Sequence, residues 1–218
     1  MPSAVKICGL TTAEALDAAL EAGTDYVGLV FFTKSPRNVD TATATALAAR
    51  ARGRSQIVVL VVDPSDEALD HIVHEVRPDI IQLHGDESLT RVADIKFRYG
   101  LAVWKAIPVS SAADIVAADP YAVVADRVLF DAKPPHGSTL PGGNGVTFDW
   151  SLLDGVAARF PFVLSGGLTP ETVADAIAAT HASIVDVSSG VESAPGIKDA
   201  ALITRFIRSA KASRVVHA

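Results

Sequence analysis

Two side chains that can transfer protons end two strand-like segments of this 218-residue sequence. Asp131 closes the apolar run 127–131, and Cys8, the only cysteine, lies near the end of the run 5–9. An unpaired charge is costly to bury, so a carboxylate that ends an apolar strand is expected to be paired or used. Carboxylic acids and thiols serve as the acid and base of proton-transfer reactions. The pattern therefore predicts an acid–base site at strand ends.

Both residues also have structural interpretations. A lone cysteine is most often a small buried hydrophobe, and the position of Cys8 supports packing and function equally. Lys6, on the same strand face, would favour the thiolate that a base requires. A nucleophilic Cys8–His84 pair is a further alternative, although their strands are not neighbours. Asp131 could instead form a structural ion pair with a lysine such as Lys105.

Short apolar runs alternate with Ala-rich amphipathic segments eight times along the chain. The runs predict strands at 5–9, 26–32, 56–63, 79–84, 101–107, 127–131, 161–165 and 183–188. The segments between them predict helices near 12–22, 41–52, 65–76, 87–98, 111–118, 149–158, 169–180 and 198–211. Eight βα units favour a (β/α)₈ TIM barrel, as a single domain over 1–218, rather than an open doubly wound sheet.

Polar residues interrupt strands that a parallel barrel would bury on both faces. Because side chains alternate along a strand, these residues are expected to face the barrel axis near the carboxyl ends of the strands, where such barrels carry their active sites. They are Lys6, Cys8, Gln82, His84, Lys105, Asp131, Asp186 and Ser188.

Two glycine-containing segments predict a phosphate site. Residues 165–170 follow the seventh predicted strand and 186–191 follow the eighth. Glycines let backbone N–H groups approach an anion, and these are the loops that commonly bind phosphate in such barrels. The candidates are Gly166, Gly167, Asp186, Ser188, Ser189 and Gly190.

Three further features lie outside the strands. Arg37 follows the second strand, where its guanidinium could bind a carboxylate with two parallel hydrogen bonds or simply lie in solvent. The connection 132–148 is too long for a routine βα loop, and its glycines predict a flexible flap over the barrel mouth. His71 and His74 share a helix face but lack further metal ligands nearby, which favours surface histidines.

Composition limits the partners. The net charge of −6 argues against nucleic acid and against an anionic membrane surface. One cysteine permits no internal disulfide, the N-terminus lacks a signal-peptide pattern, and the apolar runs are too short to span a bilayer. These features predict a cytoplasmic protein. The Ala/Leu helix faces suit either core or interface, so a homodimer stays possible.

Seven segments, taken in order, resemble the phosphoribosylanthranilate isomerases of tryptophan biosynthesis. They include Lys-Ile-Cys-Gly at 6–9 and Ser-Ser-Gly-Val-Glu at 188–192, which together form a specific signature. Asn144 departs from the Gly-Gly-Thr-Gly of the family, and the stretch 134–136 has no family counterpart. The segments are 6–11, 35–39, 82–87, 129–131, 142–150, 164–168 and 186–192.

The resemblance implies a (β/α)₈ barrel that carries out an Amadori rearrangement. N-(5-phosphoribosyl)anthranilate would become 1-(2-carboxyphenylamino)-1-deoxyribulose 5-phosphate, without metal or organic cofactor. By motif, Asp131 would be the general acid, Cys8 the general base and Arg37 a substrate contact. His84 would lie at the substrate site, and the two glycine loops would hold the phosphate.

Two other functions stay open. A histidine-pathway aminoimidazole isomerase resembles the same kind of barrel with two aspartates as acid and base, and Cys8 speaks against it. A non-catalytic phosphate-binding barrel would keep the glycine loops but would need neither Cys8 nor Asp131.

Overall fold

Eight parallel strands close into a barrel in the computed structural model, which describes residues 3–134, 137–138 and 140–213. Each strand pairs with the next in sequence, and the eighth pairs with the first to close the ring. The predicted (β/α)₈ barrel is therefore confirmed. The strands are β1 (Ala4–Cys8), β2 (Tyr26–Phe31), β3 (Gln56–Val61), β4 (Ile80–Leu83), β5 (Ala102–Val109), β6 (Arg127–Ala132), β7 (Phe162–Leu164) and β8 (Ile184–Val187).

Helices occupy the connections between the strands. Their starts follow capping side chains: Thr12, Asp40 and Ser65, for example, each accept a hydrogen bond from a backbone N–H of the first turn. The helices are α1 (Ala13–Glu21), α2 (Thr41–Ala51), α3 (Asp66–Val76), α4 (Leu89–Tyr99), α5 (Ala112–Ala117), α6 (Asp119–Val124), α7 (Val173–Thr180) and α8 (Ala200–Ala212). Among the described residues, no helix is long and apolar enough to cross a membrane.

Two predicted helices have a different form. The helix predicted at 111–118 is α5, and a second short helix, α6, follows it because Pro120 lacks the N–H that would continue α5. The helix predicted at 149–158 is instead two 3₁₀ turns, Trp150–Leu153 and Val156–Ala158. Gly155 separates them with a φ of 74°, a left-handed conformation that no α-helix contains.

The final helix begins later than predicted. The first residue of the predicted segment 198–211, Lys198, belongs to an antiparallel hairpin of β9 (Glu192–Ala194) and β10 (Ile197–Lys198). Gly196 turns the hairpin with a φ of 81°. Helix α8 then starts after its cap, Asp199.

The barrel interior is layered. Apolar side chains such as Trp104, Leu129 and Ile184 fill the amino-terminal part, and Tyr26 packs edge-on against Trp104. Above them lie the polar residues predicted to face the axis, beside a small apolar cluster of Cys8, Val30 and Leu60. The filled lower layers place the polar pocket at the carboxyl ends of the strands.

Lys105 is the exception, and its predicted position was wrong. Its neighbours Trp104 and Ala106 occupy the interior, so alternation turns Lys105 outward. Its Nζ donates to the carbonyl of Gly85 at 2.7 Å and forms an ion pair with Glu87 at 3.1 Å. The alternative pairing of Asp131 with Lys105 is therefore excluded.

Carboxylates fasten the amino-terminal end of the barrel. Asp25, Asp79 and Asp126 each directly precede an even-numbered strand, and each accepts the backbone N–H of the second residue of the strand before it at 2.7–2.8 Å. Strand-edge donors that would otherwise lie unpaired are satisfied in this way. This end of the fold is therefore built for stability, opposite the end that carries the polar pocket.

Candidate active site

A pocket at the carboxyl ends of the strands brings every predicted site residue together. Its cavity is small, about 60 Å³. Side chains reach it from β1, β2, β3, β6 and β8, and loops after β2, β3, β4, β6, β7 and β8 complete the wall. The predicted residues that line it are Cys8, Arg37, His84, Asp131, Gly166, Gly167, Asp186, Ser188, Ser189 and Gly190.

Asp131 lies at the end of β6 and is 6% exposed. Its Oδ1 accepts the backbone N–H of Ala132 at 2.9 Å, and its Oδ2 lies 3.3 Å from Nε2 of His84. The other ring nitrogen of His84, Nδ1, is 3.0 Å from Nε2 of Gln82. With Gln82 as donor, His84 is the Nε2–H tautomer, which places its N–H group 3.3 Å from Oδ2 of Asp131. The buried carboxylate thus has a proton-bearing neighbour.

Cys8 faces the pocket from β1, and its surroundings oppose the expected thiolate. Burial raises the pKa of the Cys8 thiol, and the positive charge of Lys6 only partly offsets this effect. Lys6 is already paired, since its Nζ donates to Oδ1 of Asp186 at 2.9 Å. The carboxylate of Asp186 itself also raises the pKa of Cys8. A Cys8 base would therefore rest as the thiol and lose its proton during the reaction cycle.

The Cys8–His84 pair considered from the sequence is not formed among the described residues, because the ring nitrogens of His84 contact Gln82 and Asp131. Cys8 and Asp131 instead face one another across the pocket. Their strands, β1 and β6, are separated by two strands on the shorter way around the barrel. A substrate in the pocket would meet the thiol and the carboxyl group on different sides.

Arg37 is buried rather than solvated. Its Nε and Nη2 donate to the two carboxylate oxygens of Glu192 at 2.7 and 2.8 Å, and Nη2 also lies 3.3 Å from the carbonyl of Gly143. The interpretation of Arg37 as a free loop residue is therefore excluded. Glu192 and its second partner Lys198 were not among the predicted site residues. In the sequence, Glu192 is the last residue of the family segment 186–192, and Lys198 lies in the stretch that follows this segment. These positions were the only signal that could have identified the two residues.

The two glycine loops have the backbone shape that an anion cradle needs. Gly166 and Gly167 have φ angles of 92° and 62°, which other residues rarely adopt. A Cβ on Gly166 would lie 2.7 Å from the backbone nitrogen of Ala132, so a side chain there would displace the neighbouring strand end. Residues Ser189–Val191 form a 3₁₀ turn directly after β8. Both loops border the pocket together.

Residues 140–146 of the long connection cover the pocket. A Cβ on Gly142 would lie 2.5 Å from Oδ2 of Asp131 and 2.6 Å from Nε2 of His84. Binding pockets usually exceed about 300 Å³. The cavity beneath this loop is therefore smaller than an ordinary ligand pocket. In the stretch 134–136, Pro135 and His136 lie outside the described residues.

The two helical histidines contact other side chains. His71 lies 3.2 Å from the hydroxyl of Thr41, and His74 lies 3.0 Å from the carboxylate of Glu75. Across the described ranges, no group of three or more His, Cys, Asp and Glu side chains is arranged to hold a metal ion.

Comparison with known proteins gives one family. Residues 5–209 match the family model described as N-(5'-phosphoribosyl)anthranilate isomerase. The protein of that name from Rhodopseudomonas palustris strain BisA53 is 57% identical over 213 residues, covering 98% of each chain. The phosphoribosyl anthranilate isomerase structure from Thermotoga maritima is 37% identical with a TM-score of 0.88, covering 96% of this chain and 99% of its own.

A second solved structure of this kind includes a ligand. It is a phosphoribosyl anthranilate isomerase in complex with reduced 1-(o-carboxyphenylamino)-1-deoxyribulose 5-phosphate. It is 35% identical with a TM-score of 0.85, covering 96% of this chain and 99% of its own.

Proposed function

The chain belongs to the N-(5'-phosphoribosyl)anthranilate isomerase family and is an isomerase of tryptophan biosynthesis, and we propose that Asp131 is its general acid and Cys8 its general base. The observation that carries this proposal is that both residues line one small pocket, Cys8 from β1 and Asp131 from β6. An acid and a base placed on either side of a sugar can carry out both proton transfers of the rearrangement.

In the first step, Asp131 in its protonated form donates a proton to the furanose ring oxygen. The C1–O bond breaks, the ring opens, and the anthranilate nitrogen supplies the electrons that form a Schiff base. Because Nε2 of His84 lies 3.3 Å from Oδ2 of Asp131, His84 would stabilise the carboxylate that this step produces. No group outside the substrate is needed to accept electrons, so the proposal includes neither metal nor organic cofactor.

In the second step, the Cys8 thiol first loses its proton to solvent, and the resulting thiolate takes the proton from C2 of the opened sugar. The electron pair of that C–H bond moves to neutralise the Schiff base and gives an enolamine. The enolamine then becomes the ketone by gaining a proton at C1 and losing one from the C2 oxygen. At the end of the second step Cys8 is again the resting thiol and Asp131 has lost one proton, so the cycle closes when Asp131 regains a proton in place of the one that the thiol released.

Binding groups occupy both ends of the pocket. We propose that Arg37 binds the anthranilate carboxylate. The backbone of the glycine loops, with Asp186 and His84 at the pocket wall, would hold the ribulose phosphate end. The proposed phosphate contacts, all of which line the pocket, are Gly166, Gly167, Ser188, Ser189 and Gly190. Anchoring both ends fixes the sugar between the acid and the base.

The test follows anthranilate-type fluorescence after purified protein is added to freshly generated N-(5'-phosphoribosyl)anthranilate. Cys8→Ser and Asp131→Asn should each lower kcat by about 10²-fold or more, the usual effect of losing a general acid or base. Arg37→Ala should chiefly raise KM. Near-normal turnover in the Cys8 or Asp131 variant would remove that residue's role, and an unchanged KM would remove that of Arg37.

The remaining partner and location predictions can be tested separately. A phosphoribosyl substrate, a possible homodimer and a cytoplasmic location fit a biosynthetic isomerase. Sedimentation of the purified chain would decide between monomer and dimer, and turnover of the histidine-pathway aminoimidazole substrate would reveal a second activity.

A further inference from the structure

The hairpin β9–β10 carries two buried charged residues that the mechanism above does not use. Glu192 begins β9 and Lys198 ends β10. Their side chains are 4% and 1% exposed, and Nζ of Lys198 lies 2.6 Å from Oε1 of Glu192. Burying two such groups is costly unless each charge is paired and hydrogen-bonded.

Glu192 holds Arg37 on two atoms. Nε of Arg37 donates to Oε1 at 2.7 Å, and Nη2 donates to Oε2 at 2.8 Å. Two parallel hydrogen bonds of this kind fix the plane of a guanidinium group as well as its position. The Nη1 group remains at the pocket edge beside Gly143, where a Cβ on that glycine would lie 2.5 Å from it.

Two donors besides Arg37 bind the carboxylate of Glu192. Its Oε1 accepts from Lys198, and its Oε2 accepts the backbone N–H of Gly196 at 3.2 Å. Lys198 also donates to the carbonyl oxygen of Ser188 at 2.9 Å and lies 3.2 Å from its hydroxyl. The carboxylate therefore cannot follow Arg37 if the guanidinium group moves.

The backbone of the hairpin packs directly on the loop that carries Arg37. A Cβ on Gly196 would lie 2.6 Å from the carbonyl oxygen of Pro36. On the opposite side, a Cβ on Gly9 would lie 2.7 Å from Cδ of Arg37. The arginine is thus enclosed by the end of β1 and by the hairpin, and little space exists for other rotamers.

We propose that Glu192 is a positioning residue that holds the guanidinium plane of Arg37 ready for a substrate carboxylate, and that Lys198 holds Glu192 in turn. The proposal rests on the function proposed above. It assigns the hairpin a task in substrate binding. A long side chain that is already ordered loses little conformational entropy when the substrate binds, so the affinity is higher.

Two other roles for Glu192 predict different results. If Glu192 merely neutralised Arg37, its removal would expose a full positive charge, and an anionic substrate would bind more tightly. If the ion pair served only stability, its loss would lower the melting temperature and leave KM unchanged. Positioning alone predicts weaker binding that depends on the presence of Arg37.

The experiment compares Glu192→Gln, Arg37→Ala and the double variant by steady-state kinetics on N-(5'-phosphoribosyl)anthranilate, with melting temperatures alongside. Glu75→Gln, the same charge change on the outer helix α3, is the matched control. We expect Glu192→Gln to raise KM by about 10-fold and to change kcat by less than about 3-fold. In the Arg37→Ala background, Glu192→Gln should change KM by less than about 2-fold.

A fall in KM, or an unchanged KM, in Glu192→Gln would overturn the proposal, as would an equal rise in KM with and without Arg37. If Glu192→Gln fails to fold, Arg37→Lys takes its place, because lysine keeps the charge but cannot form two parallel hydrogen bonds; an unchanged KM there would also overturn the proposal. Absence of turnover in the unmodified protein would instead refute the proposed function.

Discussion

The ion pair between Lys6 and Asp186 makes a strong prediction about stability. Lys6 is fully buried, Asp186 is 4% exposed, and Nζ lies 2.9 Å from Oδ1 inside the barrel. Although burial alone would lower the pKa of Lys6, Asp186 holds it above the ordinary value, so the lysine is charged. In Lys6→Met, the remaining contact of the Asp186 carboxylate with a side-chain hydroxyl is Ser165 at 3.5 Å.

Breaking a buried pair by removing one partner costs about 3–5 kcal/mol, because the other charge stays buried without compensation. For a chain of this length, 1 kcal/mol corresponds to roughly 2–4 °C, so Lys6→Met should lower Tm by about 6–20 °C. The double variant Lys6→Met/Asp186→Leu removes both charges with side chains of similar volume. It should recover most of the lost stability.

Equilibrium unfolding in urea, followed by circular dichroism, would measure the three proteins together with Lys96→Met as a control for an exposed pair. Lys96 pairs with Asp126 at the surface, and its loss should cost under about 1 kcal/mol. A Lys6→Met variant as stable as the control would contradict the prediction. A double variant less stable than Lys6→Met would also contradict it, because the unpaired carboxylate would then not be the source of the lost stability.

Three further predictions follow from single contacts. Asp79→Ala removes the acceptor for the backbone N–H of Ile57 and should lower the free energy of unfolding by about 1–3 kcal/mol in urea, whereas Asp79→Asn, which keeps an oxygen, should lose less. Gly142→Ala places a methyl group against Asp131 and should open the covering loop, giving faster labelling of Cys8 by a thiol reagent; unchanged labelling would show that the loop does not control access. Because burial raises the pKa of Cys8, kcat/KM should keep rising between about pH 7 and pH 9 as the thiolate forms, and a flat profile would argue against Cys8 as the base.

The sequence was most informative where local chemistry decides the structure. Thr12 and Ser65 mark the helix starts that they cap, and the apolar runs set all eight strands to within a few residues. It was less informative where one residue breaks a favourable pattern. Gly155 splits a segment of good helix formers into two 3₁₀ turns, because the glycine adopts a left-handed conformation that propensity does not predict.

The position of Lys105 shows a second limit. The sequence places Lys105 correctly in the fifth strand. Whether its side chain points into the barrel or outward depends on which neighbouring residues fill the barrel. Trp104 occupies the interior layer, so Lys105 faces outward and pairs with Glu87. A period of two identifies which residues share a face, and only packing decides which face is inside.

By itself, the sequence determined the barrel, the acid and thiol at strand ends and the glycine loops, because each depends on residue types and spacing along the chain. Only the tertiary structure decided the partners. Arg37 and Glu192 are 155 positions apart and Lys6 and Asp186 are 180 apart, and closure of the barrel brings each pair into contact. The charge state of Cys8 likewise depends on burial, which no spacing along the chain contains.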